Sequence, residues 1–182
     1  RRGGRNLYVV VTSNRGLCGG LNAGVIKKLV ENLAKYGTGG AAVVSIGKKG
    51  GAFARKTGLT VIAAFDKLPD TPTLSDTLAI SKIILEEFTT GKFDSVSLIY
   101  TDFISSLLQK PRARKILPIT TDGLKETIDE IAGFNTSVPG AGVHDNMSID
   151  SKYLFEPSKE ELLNIVVPRL LESQVYQSIL ES

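Results

Sequence analysis

The chain has 182 residues, 42% hydrophobic and 23% charged, with a formal net charge of +3, which are ordinary globular values. One cysteine and one histidine exclude an internal disulfide and any zinc site built on cysteine or histidine clusters. No apolar run approaches the roughly 18 residues of a membrane span, and the opening RRGGRNLYVV does not read as a secretory signal.

Leu7 to Thr12 is a short β-branched run and reads as a buried strand. A glycine-bearing loop, SNRGLCGG, leads into a helix marked by Leu21, Val25, Ile26, Leu29, Val30 and Leu33 at helical spacing. Gly37-Thr38-Gly39-Gly40 supplies the left-handed angles that stop it. Ala41 to Ile46 is the second strand, a helix follows over Lys49 to Lys56, and Leu59 to Phe65 is a third strand. DKLPDTPT is a turn, with Thr73 or Ser75 as cap for a helix presenting Leu78, Ile80, Ile83, Ile84 and Phe88. Ser95 to Thr101 is the fourth strand. Strands alternating with helices call for parallel pairing through right-handed crossovers, hence a Rossmann-like α/β fold with an open, mostly parallel sheet.

Beyond Asp102 the pattern changes. FISSLLQKPRARKILPI reads as two extended segments around Lys110-Pro111, or as a helical turn and a strand; the extended reading is preferred. Residues 120–151 are polar and rich in turn formers, with one helical candidate at Leu124 to Ile131, and read otherwise as mobile loop. YLFEPS is a short strand. Ser158 and Glu161 form a capping box for a final helix whose apolar seam runs from Leu162 to Leu180. Pro168 inside it removes one backbone bond and is expected to kink it. The helix reaches the last residue without a stop signal, as a helix cut in its middle would. These signals divide the chain into an α/β domain over 1–157 and a C-terminal helix over 158–182.

Most chemistry lacks its residues. The first loop has neither the G-x-G-x-x-G of a dinucleotide site nor the lysine and Ser/Thr of a P-loop, and no acidic residue ends the second strand. On those residues it is a tight strand-to-helix turn that needs glycine. GKKGG at 47–51 reads as a solvated turn. Cys18, near a helix N-terminus and beside Arg15, has a setting that lowers a thiol pKa, but a base is lacking unless His144 serves. Asp66, Asp70, Asp76, Glu86 and Glu87 form no catalytic pair, and Asp102 after the fourth strand is the best single carboxylate. Basic residues are scattered at Lys27-Lys28, Lys48-Lys49 and Arg112/Arg114/Lys115, which argues against a nucleic-acid stripe.

Three passages in order resemble one family. VTSNRGLCGGLN is similar to the T-S-D-R-G-L-C-G-G-L-N segment of the γ subunit of F-type ATP synthases. FISSLLQKPRARKILPI resembles that family's aromatic, Q-x-P and L-L-P stretch, and YLFEPS with LLESQVYQSILES resembles its Y-x-x-E-P-S strand and the opening of its C-terminal helix. The resemblance implies a rotor shaft, an α/β domain beside an antiparallel coiled coil, that couples a proton- or sodium-driven membrane ring to ATP synthesis or hydrolysis at α/β subunit interfaces. It implies no catalytic site in this chain, no cofactor, no nucleic acid and no direct small-molecule ligand. Its partners are the α and β subunits, the ε subunit and the membrane c-ring.

Carried over by position, the resemblance makes Asn14, Arg15, Gly16, Leu17, Cys18, Gly19, Gly20 and Leu21 a contact with a β subunit. Tyr153, Leu154, Phe155, Glu156 and Pro157 become a contact near the membrane ring, and Glu172, Gln174, Val175 and Tyr176 part of the coiled-coil helix. The resemblance also implies that the family's N-terminal helix and the end of its C-terminal helix are missing here, and the chloroplast regulatory cysteines are absent. Asn14 stands where the family usually has Asp, removing a charge from an expected salt bridge. GLCGGLN is closer to bacterial members, which implies the cytoplasmic face of a bacterial plasma membrane rather than a mitochondrion or chloroplast. The alternative is a small α/β protein that binds a nucleotide or anion at the 13–22 loop.

Overall fold

A computed structural model describes residues 4–15, 19–69, 71–119 and 159–181, the last with side chains from Val167 onward. Five strands, β1 (Asn6–Val11), β2 (Ala42–Ile46), β3 (Thr60–Phe65), β4 (Ser95–Ser105) and β5 (Leu108–Leu117), form one sheet in the order β3-β2-β1-β4-β5. The first four are parallel, and β5 returns antiparallel beside β4. Helices α1 (Gly19–Tyr36), α2 (Lys48–Lys56) and α3 (Leu74–Thr89) make the crossovers, and α4 (Lys159–Glu181) is the C-terminal helix.

The central strands read as continuous apolar runs because both their faces are covered. Tyr8, Val10, Val43 and Ile99 meet Val25, Leu29 and Leu33 of α1 and Ala54 of α2 in one core. Ile80 and Ile84 of α3 are fully buried as well. Each buried Val, Leu or Ile among them stabilises the fold by about 1.5–3 kcal/mol. Leu78, expected on the same face, is instead 44% exposed, since only every third or fourth position of α3 is buried.

The region after Asp102 is extended, as preferred, but its corner is elsewhere. β4 runs on to Ser105, Ser105 pairs with Leu108, and the turn is Ser106-Leu107. Pro111, read as the corner, lies inside β5 opposite Thr101. An outermost strand tolerates it, because the missing N–H costs no ladder bond on the open side. The hairpin tip leaves Leu107 97% exposed, beside exposed Phe103, Ile104 and Leu108.

GKKGG is not a solvated turn. Gly47 precedes α2, Lys48 begins it, and Gly50 and Gly51 are buried. A Cβ on Gly50 would stand 3.0 Å from Val10 Cγ1 and 3.2 Å from Ser45 Oγ, so the glycines let α2 lie close on the sheet. The lysines point a different way from the glycines and are exposed.

At the start of α3, Thr73 rather than Ser75 is the cap; it forms a capping box with Asp76, and the Thr73 N–H donates to Asp76 Oδ2 at 2.7 Å. Hydrogen bonds from the Thr73 backbone and side chain hold the Asp76 carboxyl below its ordinary 3.8. Asp94, which accepts from the Arg5 side chain and backbone, is lowered for the same kind of reason. A carboxyl with a depressed folded pKa contributes stability that is complete above the unfolded value and is lost as the pH falls through the folded one. Acid unfolding followed by circular dichroism should therefore steepen below the ordinary carboxylate range. Asp76→Asn and Asp94→Asn should each remove part of that slope, by lowering stability at neutral pH while leaving it nearly unchanged in acid.

Residues 1–118 and 171–182 form one compact unit, and 119–170 a second. In the first, α4 contributes Leu171, Val175 and Ser178, all at most 2% exposed. α4 remains helical through Pro168. The helix candidate at 124–131 and the YLFEPS strand lie outside the described residues. Among those described, no helix is long and apolar enough to cross a membrane.

Candidate functional site

The carboxyl ends of β1 and β2 converge on the loop that begins at Thr12. Thr12 N–H and Thr12 Oγ1 both donate to the Ile46 carbonyl, at 2.8 and 3.2 Å. Thr12 Oγ1 in turn accepts from the Gly50 N–H at 3.2 Å, which ties the end of β1 to the first turn of α2. Gly47 has a φ of +88°, and its N–H reaches the Phe65 carbonyl at the end of β3.

Ser13 is clamped by Asn22 of α1. The Ser13 N–H donates to Asn22 Oδ1 and Asn22 Nδ2 donates to the Ser13 carbonyl, both at 2.9 Å and both buried. This pair fixes where α1 starts relative to β1. Ser13 Oγ accepts from the Arg15 N–H at 3.1 Å, continuing the turn.

Asn14 is exposed, yet its amide works inside the chain. Nδ2 donates to the Asp66 carbonyl at 2.8 Å, and Oδ1 accepts from the Lys48 N–H at 2.9 Å. The position needs one donor and one acceptor, which an amide has and a carboxylate lacks. An aspartate here would set a carboxylate oxygen against the Asp66 carbonyl. The same amide occupies the first N–H of α2, where a phosphate would otherwise be sought.

Gly19 and Gly20 overturn the idea that this turn requires glycine at those positions. Both lie in the first turn of α1, neither has a left-handed φ, and a Cβ on either would have nothing within 4 Å. The strand-to-helix change is held by the Asn22 clamp instead. Leu21 is half-buried, and Arg15 is exposed. Gly16, Leu17 and Cys18 lie outside the described residues, as do Tyr153, Leu154, Phe155, Glu156 and Pro157.

The nearest cavity, lined by Thr12, Ser13, Asn14, Arg15, Gly47 and Ile179 among others, holds about 60 Å³. Ligand pockets run to roughly 300–1,000 Å³, so this space admits a couple of waters and not a nucleotide. Asp102, the single carboxylate candidate, makes a 2.7 Å ion pair with Arg112 across the β4–β5 hairpin. It is engaged in strand pairing. Among the described residues no group of three or more His, Cys, Asp or Glu stands ready to hold a metal.

Of the C-terminal helix residues, Val175 is fully buried and Glu172, Gln174 and Tyr176 are half-buried. Ser178 Oγ donates back to the Val175 carbonyl at 2.7 Å, which allows a serine to be buried on that face. The sequence seam pointed to Val175 correctly as an inward position. It did not mark Asn14 or Asn22, whose bonds depend on contacts remote in sequence.

A family model described as ATP synthase matches residues 1–182. Curated relatives include the ATP synthase gamma chain of Legionella pneumophila (strain Corby), 33% identical over 177 residues that cover 96% of this chain and 55% of that protein. The gamma chain of Alkaliphilus metalliredigens is 33% identical over 178 residues, covering 98% and 56%. The chain thus spans about half the length of the curated relatives it matches. Among solved structures, it is similar to a chain of the Tetrahymena thermophila mitochondrial ATP synthase central stalk and c-ring, with a TM-score of 0.63 and 20% identity over 97% of this chain and 69% of that one. A chain of the Euglena gracilis mitochondrial ATP synthase rotor matches with a TM-score of 0.58 and 20% identity, over 96% and 60%. These structural likenesses show the shared fold.

Proposed function

The chain belongs to the ATP synthase gamma-chain family, and from that premise we propose that it is the α/β part of a central-stalk rotor subunit. The observation that carries this is the family match over all 182 residues, with gamma chains as the relatives. In this role the chain turns inside the catalytic α/β ring and transmits torque from the membrane c-ring, with the ε subunit as a further neighbour. An asymmetric shaft does this by contacting each catalytic subunit differently and so biasing its conformation in turn. The chemistry of ATP resides in the ring, and this chain is a non-catalytic member of the complex. Its place is peripheral, on the cytoplasmic face of a bacterial plasma membrane, in line with the bacterial gamma chains among its relatives.

The described part of the 13–21 loop supports a contact role. The Ser13 backbone and the Asn14 side-chain amide are engaged internally, which makes this start of the loop a fixed platform rather than an anion cradle. Arg15 is exposed, and a Cβ on Gly19 or Gly20 would have nothing within 4 Å, so another protein can approach the backbone closely there. The bare hairpin tip at Phe103, Ile104, Leu107 and Leu108 is a second surface suited to a protein neighbour. In the second half of α4, we read Glu172, Gln174 and Tyr176 as facing the companion helix of a coiled coil.

Arg15→Ala in the assembled complex is expected to keep ATP hydrolysis measurable while lowering ATP-driven ion pumping by several-fold. Parallel assays of hydrolysis and pumping in membrane vesicles check it. Unchanged coupling would remove Arg15 from the contact, and complete loss of hydrolysis in an intact complex would place it in the catalytic machinery.

A further inference from the structure

At the opposite end of the sheet, where β1 and β4 begin and β5 ends, a second cavity of about 220 Å³ opens on the α1 side. Tyr8, Ser97 and Lys115 line it together with Asn32 and Tyr36 of α1. The first three lie on one cross-strand row: Tyr8 pairs with Ser97, and Ser97 pairs with Lys115. Adjacent strands are about 4.8 Å apart, so the serine sits midway between a tyrosine and a lysine whose backbones are roughly 10 Å apart.

Tyr8 is 1% exposed, and its hydroxyl is buried without a hydrogen-bond partner among the described residues. Buried tyrosine hydroxyls nearly always find one. Burial, with Tyr36 as a lesser cause, raises the Tyr8 pKa, so the hydroxyl stays protonated and can donate. No Asp or Glu lines the cavity, and Lys115 has no ion pair among the described residues. Each neighbouring amide has one N–H engaged within the chain: Asn6 Nδ2 donates to the Gly4 carbonyl and Asn32 Nδ2 to the Lys28 carbonyl. A buried hydroxyl without a partner and a lysine without an ion pair among the described residues therefore line a space of roughly seven waters' volume.

The geometry points to a carboxylate-binding site, in which one carboxylate sits over Ser97 and accepts hydrogen bonds from the Tyr8 hydroxyl and the Lys115 ammonium. A single cation and neutral hydroxyls match the single charge of a carboxylate, whereas a phosphate close to two charges is better served by a cluster of cations. The carboxylate is supplied either by an acidic side chain of a neighbouring subunit or by a small free acid. Nothing in this inference rests on the stalk role, and it stands or falls separately from it.

The test is titration of the full chain with succinate as the carboxylate probe and succinamide as its uncharged counterpart, followed by NMR of ring-labelled tyrosine. Saturable succinate binding that shifts the Tyr8 resonance is expected, with none for succinamide. Tyr8→Phe keeps the ring that fills the core, and Lys115→Met changes an exposed position, so both variants remain folded. Each should weaken binding by about tenfold or more, as loss of a charge-assisted hydrogen bond does. In the assembled complex, a pocket that no longer takes succinate identifies a neighbour's side chain as the occupant, and one that still takes it identifies a free acid. Absence of saturable binding, or equal binding by wild type and both variants, overturns the inference.

Discussion

Replacing Gly47 with alanine is expected to destabilise the chain by about 4 kcal/mol or more, the range reached only by substitutions with a definite steric cause. The new Cβ would fall 2.0 Å from the Thr12 carbonyl oxygen and 2.7 Å from Thr12 Oγ1. The first of these is backbone, and it belongs to a residue already bonded to Ile46 through both its N–H and its hydroxyl. It has no easy way to yield. The φ of +88° adds a further penalty for any residue with a side chain. In a domain of this size such a loss lowers the melting temperature by roughly 8–16 °C, which a thermal scan detects directly. Gly19→Ala is the control. With helical backbone and nothing within 4 Å, it should be neutral or stabilise by up to about 1 kcal/mol. If the two alanines behave alike, the close approach of α2 to the end of β1 is wrong.

Asn22→Ala is expected to have the next largest effect. It leaves the Ser13 N–H and carbonyl buried and unpaired, at a cost of about 1–3 kcal/mol for each group. Part of this is recovered if water enters, so a net loss of about 2–4 kcal/mol is expected in urea unfolding. The proposed contact role of Arg15 extends the expectation to function, because the clamp holds Ser13, whose Oγ accepts from the Arg15 N–H. Coupling in the assembled complex should fall in Asn22→Ala even under conditions where the chain remains folded. A variant that loses stability without losing coupling would separate the clamp from the presentation of the loop.

These two positions show what the sequence could and could not disclose. The alternation of apolar runs with helical spacings placed β1 to β4 and α1 to α3 within a few residues, since buried strands and amphipathic helices leave periodic traces. Val175 and Leu171 were legible in the same way. Pro111 misled, because a proline signals a break only where a ladder bond is needed, and β5 is an edge. The true turn at Ser106-Leu107 contains no glycine or asparagine to announce it. GKKGG misled because its lysines suggest water, while the need for its glycines comes from Val10 and Ser45 on other elements.

The candidate site was legible as a location and not as a mechanism of construction. The motif around residues 13–22 identified the family and the loop. It did not reveal that Asn14 bridges Asp66 and Lys48, distant in sequence by 52 and 34 positions. Nor did it separate Gly47, which the fold requires, from Gly19 and Gly20, which it does not. The row of Tyr8, Ser97 and Lys115 was invisible because it is assembled from three strands, and Tyr8 alone reads as an ordinary core residue.

The central claim, that the chain is a rotating shaft, is tested most directly by watching it turn. Leu107 is 97% exposed at the hairpin tip, so a cysteine there carries a probe without disturbing the fold, once Cys18 is replaced by serine. With the catalytic ring of the assembled complex fixed to a surface, adding ATP should drive sustained rotation of the Leu107→Cys probe in one direction. A probe that stays fixed relative to the ring while the same complexes hydrolyse ATP would contradict the account.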